Sequence, residues 1–467
     1  MKYLYRYETK GIQNWILSSN KLRDLAGGSA LVEALTQAAD EAAKKLDATV
    51  IQATSGAMTA EFPDREKLQA FASEWPIQVA FRAPGLQLVQ GWVPESEGLP
   101  ALFKELAARR NMPPLNDLET NPWVLRAGLS GLPAVPSRSR AKARQTTQDQ
   151  ISLAKEWALH KEHYGKELPV TGGPDWDDFE QELDRWPEGP VAIVHADGTG
   201  VGQRLMKIKG SDNLQCFSKA MKKASSTAIK VAVQEVTRDR ESGHLLARPV
   251  VSAGDDLTYI LLAGDARRFT EAWLKAFERE TAAQAGDLGG DGGLYGGAGI
   301  VMVHRGYPFS RAYRLAEELC KKAKDKVKAS TQPNRSVLAF KRVTNSLVDE
   351  IAEDAIGWIV SDQNQLGDLV DVVRDLPRGT LRTWLDHFQR PNGSKQTQRL
   401  WDRAKEVADN KVWEGFERAL QAAGADPATG ALEPGNSGPS LPLGKGQTTP
   451  ISNALTLRFV ERTPAHV

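Results

Sequence analysis

A short pattern occurs twice in this sequence, and the two copies indicate that part of the chain is duplicated. Residues 7–13 (YETKGIQ) and 196–202 (ADGTGVG) each place an acidic residue at the end of a β-rich run and a Gly-Ile or Gly-Val pair three residues later. A helical pattern comes next in both copies. A repeat of this kind predicts two similarly folded units in one chain.

Two further segments continue the repeat. Residues 50–62 and 249–260 each read as a strand, a tight turn and a second strand when Gly56 is aligned with Gly254. Each half then has a third strand, at 86–93 and 298–304. The order strand, helix, hairpin, helix, strand (βαββαβ) is the ferredoxin-like arrangement on which palm-type polymerases and nucleotide cyclases are built. We therefore predict an α+β protein with two ferredoxin-like palm domains and a helical C-terminal domain.

Changes in composition set the predicted domain boundaries. The first palm is placed at 1–125, a connector at 126–185, the second palm at 186–345 and the helical C-terminal domain at 346–467, with a Gly/Pro-rich linker at 423–450. Alternate basic residues at 138–144 indicate either a solvated face or a loop that contacts RNA or phosphate. Tryptophans 358, 384, 401 and 413 lie in apolar-periodic stretches, so we expect them in the core.

The composition excludes several classes of protein. The 467 residues carry 60 Lys and Arg against 59 Asp and Glu, so the net charge of +1 gives no overall field for a polyanion. Any nucleotide or nucleic-acid site must therefore be local. No run approaches the roughly eighteen apolar residues of a membrane span. The N-terminus lacks a signal-peptide pattern, and the two cysteines fit a reducing compartment, so we expect a cytoplasmic protein.

Three carboxylates are predicted to meet at one end of the second sheet. Asp197 ends the first strand of that palm, and Asp255 and Asp256 lie at the tip of its hairpin. Such carboxylates repel one another unless cations intervene, and two Mg²⁺ or Mn²⁺ ions would also neutralise a triphosphate, activate a ribose hydroxyl and stabilise leaving pyrophosphate. The first palm has Ala57 and Met58 in the aligned turn, so we expect no metal there. The plainer alternative is a helix cap and an ordinary turn.

Glycines and lysines surround the predicted carboxylates. Gly198 lets the backbone approach a bulky anion before the next helix, and Gly254 lets the turn close beside a nucleotide. The last helix of the second palm ends in a run of basic residues: Lys321, Lys322, Lys324, Lys326 and Lys328. Lysines at a helix C-terminus are usually solvated, but beside a metal centre one or two could reach phosphates. The glycines of 286–299 predict a flexible loop before the third strand.

Five motifs, in this order, resemble a known family. They are 11–16 (GIQNWI), 22–31 (LRDLAGGSAL), 196–198 (ADG), 253–256 (AGDD) and 303–308 (VHRGYP) before the lysine-rich helix. The family is the large subunit of type III CRISPR effector complexes, a two-palm polymerase/cyclase that makes cyclic oligoadenylate. The resemblance covers about residues 1–345.

The resemblance implies roles for individual residues. Asp197, Asp255 and Asp256 would hold the metals and form the catalytic set. Ser252 and Gly254 would line the nucleotide, and Lys321 or Lys324 would contact its triphosphate. Gly28 and Ser29 would help to hold a second ATP across the palm–palm interface. A metal-free first palm would then serve as a wall and an acceptor site.

The implied function is conversion of ATP into a cyclic oligoadenylate or cyclic dinucleotide messenger in antiviral defence. The expected partners are CRISPR RNA, target RNA and small effector-complex subunits, with no membrane. One alternative is a stand-alone synthase, which could be a homo-oligomer. A second alternative is a scaffold or RNA-binding subunit with vestigial catalysis.

Three departures from the family pattern stand out. The nuclease domain that would precede the first palm is missing from this sequence. The segment 127–133 (AGLSGLP) resembles the family's zinc-binding line with both cysteines lost, so no zinc is expected. Ala253 replaces the first glycine of the usual Gly-Gly-Asp-Asp turn, which could narrow the base pocket. The second acid of this turn is Asp256 where diguanylate cyclases carry Glu, which counts against a GTP-specific cyclase.

Overall fold

The computed structural model describes most of the two predicted palms and parts of the connector and of the C-terminal region. The described residues are 1–18, 22–54, 56–110, 125–128, 131, 134–136, 147–148, 189–208, 210–237, 247–329, 334–343, 356–360, 366–367, 369–370, 402–403, 405–406, 410–422 and 440–442. The basic residues of 138–144, most of the 423–450 segment, Trp384 and Trp401 lie outside this set.

The N-terminal unit has the predicted βαββαβ order. Its elements are β1 (Tyr3–Lys10), α1 (Ile12–Ile16), α2 (Leu22–Lys45), β2 (Thr49–Thr54), β3 (Ala57–Phe62), α3 (Arg65–Arg82), β4 (Gln87–Pro94) and α4 (Gly98–Arg110). The four strands form an antiparallel sheet in the order β2-β3-β1-β4. This order is the ferredoxin-like one, and it places the first strand beside the hairpin.

The second unit repeats this order after a small connector sheet of β5 (Val135–Pro136) and β6 (Thr147–Gln148). Its elements are β7 (Val191–Thr199), α5 (Val201–Lys207), α6 (Ser211–Thr237), β8 (Ala247–Ala253), β9 (Asp256–Leu262), α7 (Ala263–Ala283), β10 (Tyr295–Val303) and α8 (Phe309–Lys328). The four palm strands run β10-β7-β9-β8, which matches the first palm strand for strand. The prediction of two palm domains of one topology is confirmed.

In the part of the chain that the structure describes after α8, a helix accompanies strands that extend the second sheet. Strand β11 (Val337–Arg342) pairs in parallel with β10, and β12 (Ile356–Ile359) and β13 (Ser440–Pro442) continue outward. Helix α9 (Asn410–Ala422) buries Trp413, and Trp358 on β12 is also buried, as predicted. Strand β11 lies within the predicted second palm, whereas β12 and β13 lie in the region that was expected to be helical. Strand β11 covers the otherwise unpaired edge of β10.

The two palms pack against each other in a reciprocal way. Helix α2 of the first palm contacts β8 of the second, and the equivalent helix α6 of the second palm contacts β2 of the first. Two hydrophobic clusters result from this packing, and each contains residues of both palms. Leu4 and Val93 join the cluster that lies mainly in the second palm, whereas Ile193 and Ile260 join the one that includes the first palm core.

Part of the glycine-rich stretch 286–299 is strand rather than the predicted loop. Strand β10 begins at Tyr295, and its glycines at 296, 297 and 299 allow the neighbouring helices to lie directly on the sheet. A Cβ on Gly299 would collide with the backbone of Ala316, and one on Gly296 would lie 2.7 Å from the Leu274 side chain. Within the described part of the chain, no helix is both long and apolar enough to cross a bilayer.

Candidate active site

The three predicted carboxylates lie together at one end of the second sheet. Asp197 is near the end of β7, where it is in register with Asp256 of β9 on one side and with Gly297 of β10 on the other. Asp255 occupies the second position of the two-residue turn between β8 and β9. The hairpin thus brings residues that are far apart in sequence to neighbouring positions on the central strands.

Two glycines shape this end of the sheet. The Gly198 N–H donates to the backbone carbonyl of Asp255 at 3.2 Å, and a Cβ on Gly198 would lie 2.9 Å from the Asp255 carboxylate. Glycine is therefore required for the turn to approach β7 so closely. Gly254 has a φ of 64°, in the left-handed region that favours glycine, and it opens the turn.

Lys324 of α8 forms an ion pair with Asp197. The lysine side chain is largely buried, because its stem crosses β10 at Gly297, where any Cβ would collide with it. The ammonium therefore lies among the carboxylates that were predicted to hold metal. Lys321, the other lysine predicted to meet a triphosphate, is exposed on the same helix.

The electrostatics of the cluster arise from burial and from like charges. Burial, followed by the neighbouring Asp197 carboxylate, raises the pKa of Asp255 to about 7 and that of Asp256 to about 7. Burial opposes the charge of Lys324, but Cys320 and Asp197 outweigh it and raise the pKa of this lysine above its ordinary value. The cluster is therefore short of positive charge near neutral pH, even with one ammonium inside it.

The donor chemistry of the cluster suits a hard divalent cation. All three side chains offer carboxylate oxygens, which Mg²⁺ and Mn²⁺ prefer, and Asp256 Oδ1 is buried without a hydrogen-bond partner. Across the described residues, however, no group of three or more His, Cys, Asp or Glu side chains has the arrangement of a metal site. In the conformation described, Lys324 holds Asp197, and metal binding would require that carboxylate to be released.

Two residues that contact Asp256 were not predicted from the sequence. His195 lies two residues before Asp197 on the same face of β7, with Nδ1 3.2 Å from Thr258 Oγ1 and 3.5 Å from Asp256 Oδ1. Burial lowers the pKa of this histidine. Gln13 of the first palm reaches across the interface, and its Nε2 donates to Asp256 Oδ2 at 3.4 Å. The period of two along a strand was a signal for His195, whereas no local pattern indicated Gln13.

The first palm carries a matching cluster with different charges. Arg6 and Glu8 of β1 stand where His195 and Asp197 stand in β7, because both acids lie three residues before a glycine in the left-handed region. Arg6 Nε donates to Glu8 Oε1 at 2.9 Å, and Arg110 at the end of α4 also pairs with Glu8. The acid of the first palm is thus held by two guanidinium groups.

The register of the hairpins corrects the alignment of the two turns by one residue. Glu8 pairs with Ala57 where Asp197 pairs with Asp256, so Ala57 matches Asp256 and Gly56 matches Asp255. The matched threonines support this shift, because Arg6 contacts Thr59 at 2.6 Å as His195 contacts Thr258. The alignment erred because glycine is the second turn residue in the first hairpin and the first turn residue in the second.

The remaining predicted site residues lie on elements at the palm–palm interface. Gly28 and Ser29 are buried in α2, the helix that contacts β8. Ser252 lies on β8 opposite Leu257, one residue before Ala253. Its side chain is outside the described part of the molecule.

Comparison with known proteins agrees with the fold and with part of the sequence. Residues 190–332 match the model of the second palm domain of Cas10/Cmr2. No curated protein sequence matches the chain significantly. Among solved structures, the Csm1–Csm4 cassette in complex with cA4 has a TM-score of 0.60 at 13% identity, covering 98% of this chain and 70% of that one.

Two further structures of the same cassette give similar values. The complex with pppApA has a TM-score of 0.60 at 13% identity, over 99% of this chain and 69% of that one. The apo cassette has a TM-score of 0.53 at 13% identity, over 90% and 64% of the respective chains. The fold and hairpin therefore define a protein of the palm class. More particularly, residues 190–332 resemble the second palm domain of Cas10/Cmr2, which confirms the resemblance drawn from the sequence motifs.

Proposed function

We propose that this chain is a metal-dependent nucleotidyltransferase that converts ATP into a cyclic oligoadenylate or cyclic dinucleotide. The observation that carries the proposal is the convergence of Asp197, Asp255 and Asp256 at the end of a palm sheet, with Lys324 within reach of them. A structural turn or cap does not need two adjacent acids whose pKa values are raised by burial and by a third carboxylate, whereas such a cluster is typical of a site that binds cations and phosphates.

The reaction joins two nucleotides. The 3′-hydroxyl oxygen of one ATP forms a bond to the α-phosphorus of another, the bond from that phosphorus to pyrophosphate breaks, and the hydroxyl proton leaves to a base. Asp197, Asp255 and Asp256 would hold two Mg²⁺ or Mn²⁺ ions, which would supply positive charge to the triphosphate and to the attacking oxygen. A second such step within the product would close the ring.

Residues of the chain itself orient the reactants in this proposal. When ATP binds, Lys324 exchanges its partner Asp197 for a phosphate oxygen. The same ammonium therefore pairs with Asp197 in the absence of ATP and with the triphosphate in its presence. Gly198 and Gly254 keep side chains away from the nucleotide, beside Ser252. Gly28 and Ser29 on α2 are assigned to a second nucleotide from the first palm.

The similar structures support this assignment. The Csm1–Csm4 cassette has been solved with cA4 and with pppApA, and the present chain shares its fold. We extend to this chain ATP as substrate, a small partner subunit that resembles Csm4, and an RNA-guided complex as the setting. CRISPR RNA and target RNA are the further partners proposed in such a complex.

The test is a product assay on the purified chain. ATP is supplied with Mg²⁺ or Mn²⁺, with and without candidate RNA and partner subunits, and products are identified by mass. We expect oligoadenylate or a cyclic dinucleotide from the wild type, and a loss of at least about 100-fold in the Asp255→Ala, Asp256→Ala double variant. An Asp212→Ala, Asp287→Ala variant removes two exposed carboxylates elsewhere and should keep full activity.

The same assay decides between an enzyme and a vestigial scaffold. The scaffold alternative draws on Ala253 in place of the usual glycine and on the ion pair that holds Asp197. Absence of any oligonucleotide product under all conditions would favour the scaffold. Unchanged activity in the Asp255→Ala, Asp256→Ala variant would show that the chemistry occurs elsewhere.

A further inference from the structure

Helix α6 of the second palm presents an unbalanced basic surface to solvent. Four lysines on it are exposed: Lys219, Lys222, Lys223 and Lys230. No acidic residue occurs between 213 and 234. The two acids of the helix lie near its ends, where Asp212 is in the first turn and Glu235 pairs with Arg268 at 3.1 Å.

The four lysines form one stripe, which we call the α6 lysine face. At 3.6 residues per turn they fall within an arc of about 100°, and at 1.5 Å per residue they extend over about 16 Å of the helix. None of them has an ion-pair partner among the residues that the structure describes. The opposite side of the helix packs against α7 and against β2 of the first palm, so the lysine face points away from the core.

The duplicated helix of the first palm is an internal comparison for this surface. Helix α2 has the same position in the fold, yet its outer charges are balanced, with Glu41 and Lys45 exposed and Lys44 paired to Asp40 at 2.7 Å. The fold therefore does not require a lysine face at this position. A merely solubilising surface would also be expected to mix both signs of charge.

The chemistry of the face favours a phosphate backbone over a protein partner. Ser226, the other exposed residue between Lys219 and Lys230, is small and polar, and no large apolar side chain is exposed on α6. Protein interfaces are enriched in aromatic residues and depleted of lysine, whereas nucleic-acid contacts depend on rows of basic side chains. A straight row of about 16 Å can run along several consecutive phosphates of one strand.

We propose that the α6 lysine face binds the phosphate backbone of single-stranded RNA. This surface is separate from the carboxylate cluster on β7 and β9, because its lysines lie on the solvent side of the helix layer that covers the sheet. The inference does not rest on the proposed ATP chemistry, since it concerns binding alone. It gives the near-neutral chain a local site for a polyanion.

The experiment measures binding of a fluorescent 20-nucleotide single-stranded RNA to the full chain by anisotropy at several salt concentrations. The test variant changes Lys219, Lys222, Lys223 and Lys230 to Gln. The matched control changes four other exposed lysines to Gln: Lys45, Lys104, Lys326 and Lys328. Thermal unfolding checks that both variants are folded.

We expect the test variant to lose about tenfold or more in affinity near 100 mM salt. The slope of log affinity against log salt should also fall in magnitude by up to about 3, because each lost phosphate contact on a single strand accounts for about 0.7. The control variant should keep the wild-type slope.

Three results of the RNA titrations would overturn the proposal. These are no RNA binding by the wild type, an unchanged slope in the test variant, or an equal loss in the control. Preference for polyglutamate over RNA would also overturn it in favour of an acidic protein. An active cyclase with no RNA binding at this face would refute this inference alone, whereas binding without product would refute only the proposed activity.

Discussion

The matched residues of the two palms show how one architecture holds two different charge states. The first palm has two guanidinium groups around Glu8, and the second has a neutral-leaning histidine and one ammonium around Asp197. Strand register matches Arg6 with His195, Glu8 with Asp197, and Thr59 with Thr258. Arg110 of α4 and Lys324 of α8 are the ion-pair partners of the two matched acids. Permanent guanidinium charge balances the acid of the first palm, and under the proposed function metal ions would supply the corresponding charge in the second.

Replacing one of these residues should give the cluster of the second palm a charge more like that of the first palm. In a His195→Arg variant, a guanidinium would lie beside Asp197, as Arg6 lies beside Glu8. We expect Mn²⁺ affinity, measured by electron paramagnetic resonance, to fall at least about tenfold, because a fixed charge competes with the ion.

A His195→Gln variant is the control, since it fills the position without charge and should retain most of the affinity. Equal loss in both variants would mean that His195 acts through packing. Unchanged Mn²⁺ binding in His195→Arg would contradict a role for charge at this position.

The pKa of Asp256 gives a second residue-scale prediction. Because its folded pKa of about 7 lies above that of the unfolded chain, this group contributes stability at low pH that is lost as the pH rises toward and through 7. Without metal, an Asp256→Asn variant should therefore be more stable than the wild type at pH 8 by about 1–2 kcal/mol.

This advantage should shrink when the pH is lowered to about 5, where the Asp256 carboxyl is protonated in the folded chain. Urea unfolding in EDTA at both pH values measures it, with the exposed Asp212→Asn as the control. A difference in stability that does not change with pH would contradict the raised pKa. Addition of Mg²⁺ should favour the wild type, since only the carboxylate can offer the ion a charged ligand.

At the scale of elements, the sequence predicted the order and type of the helices and strands better than the register of the strands and the contacts between elements. The strand, helix and hairpin order of both palms came from alternation and periodicity, which are local properties. The one-residue shift between the hairpins was not predictable, since Gly56 and Gly254 serve different turn positions and only strand pairing shows which. Part of strand β10 was predicted to be a loop because glycines are common in loops. In the fold these glycines allow α8 to approach the strand closely, and such a tertiary contact leaves no local signal.

For the candidate site, the sequence likewise predicted the residues better than their contacts. The three acids and the glycines beside them carry their signal in short motifs, so they could be found from sequence. The sequence could not show which group Lys324 contacts, because the Asp197 carboxylate and a phosphate are both anions that attract an ammonium group. Gln13 lies 243 residues from Asp256, and only the packing of the two palms brings them together.

At the scale of the whole molecule, the reciprocal packing of α2 and α6 predicts that the palms unfold together. Each of the two hydrophobic clusters contains residues of both palms, so loss of packing in one domain removes contacts from the other. A Phe62→Ala change in the first palm should cost about 3–5 kcal/mol, because this side chain is fully buried. The cost should appear equally in the second palm.

Hydrogen exchange detected by mass spectrometry can monitor both palms in one experiment. In the Phe62→Ala variant, the amides of β1 and of β7 should lose protection by the same factor, and thermal unfolding should show one shared transition for the two palms. A Phe277→Ala variant in the second palm is the reciprocal control, since Phe277 is also fully buried. If each variant weakened protection only in its own palm, the palms would be independent domains, and a contact such as that of Gln13 with Asp256 would be too labile to couple them.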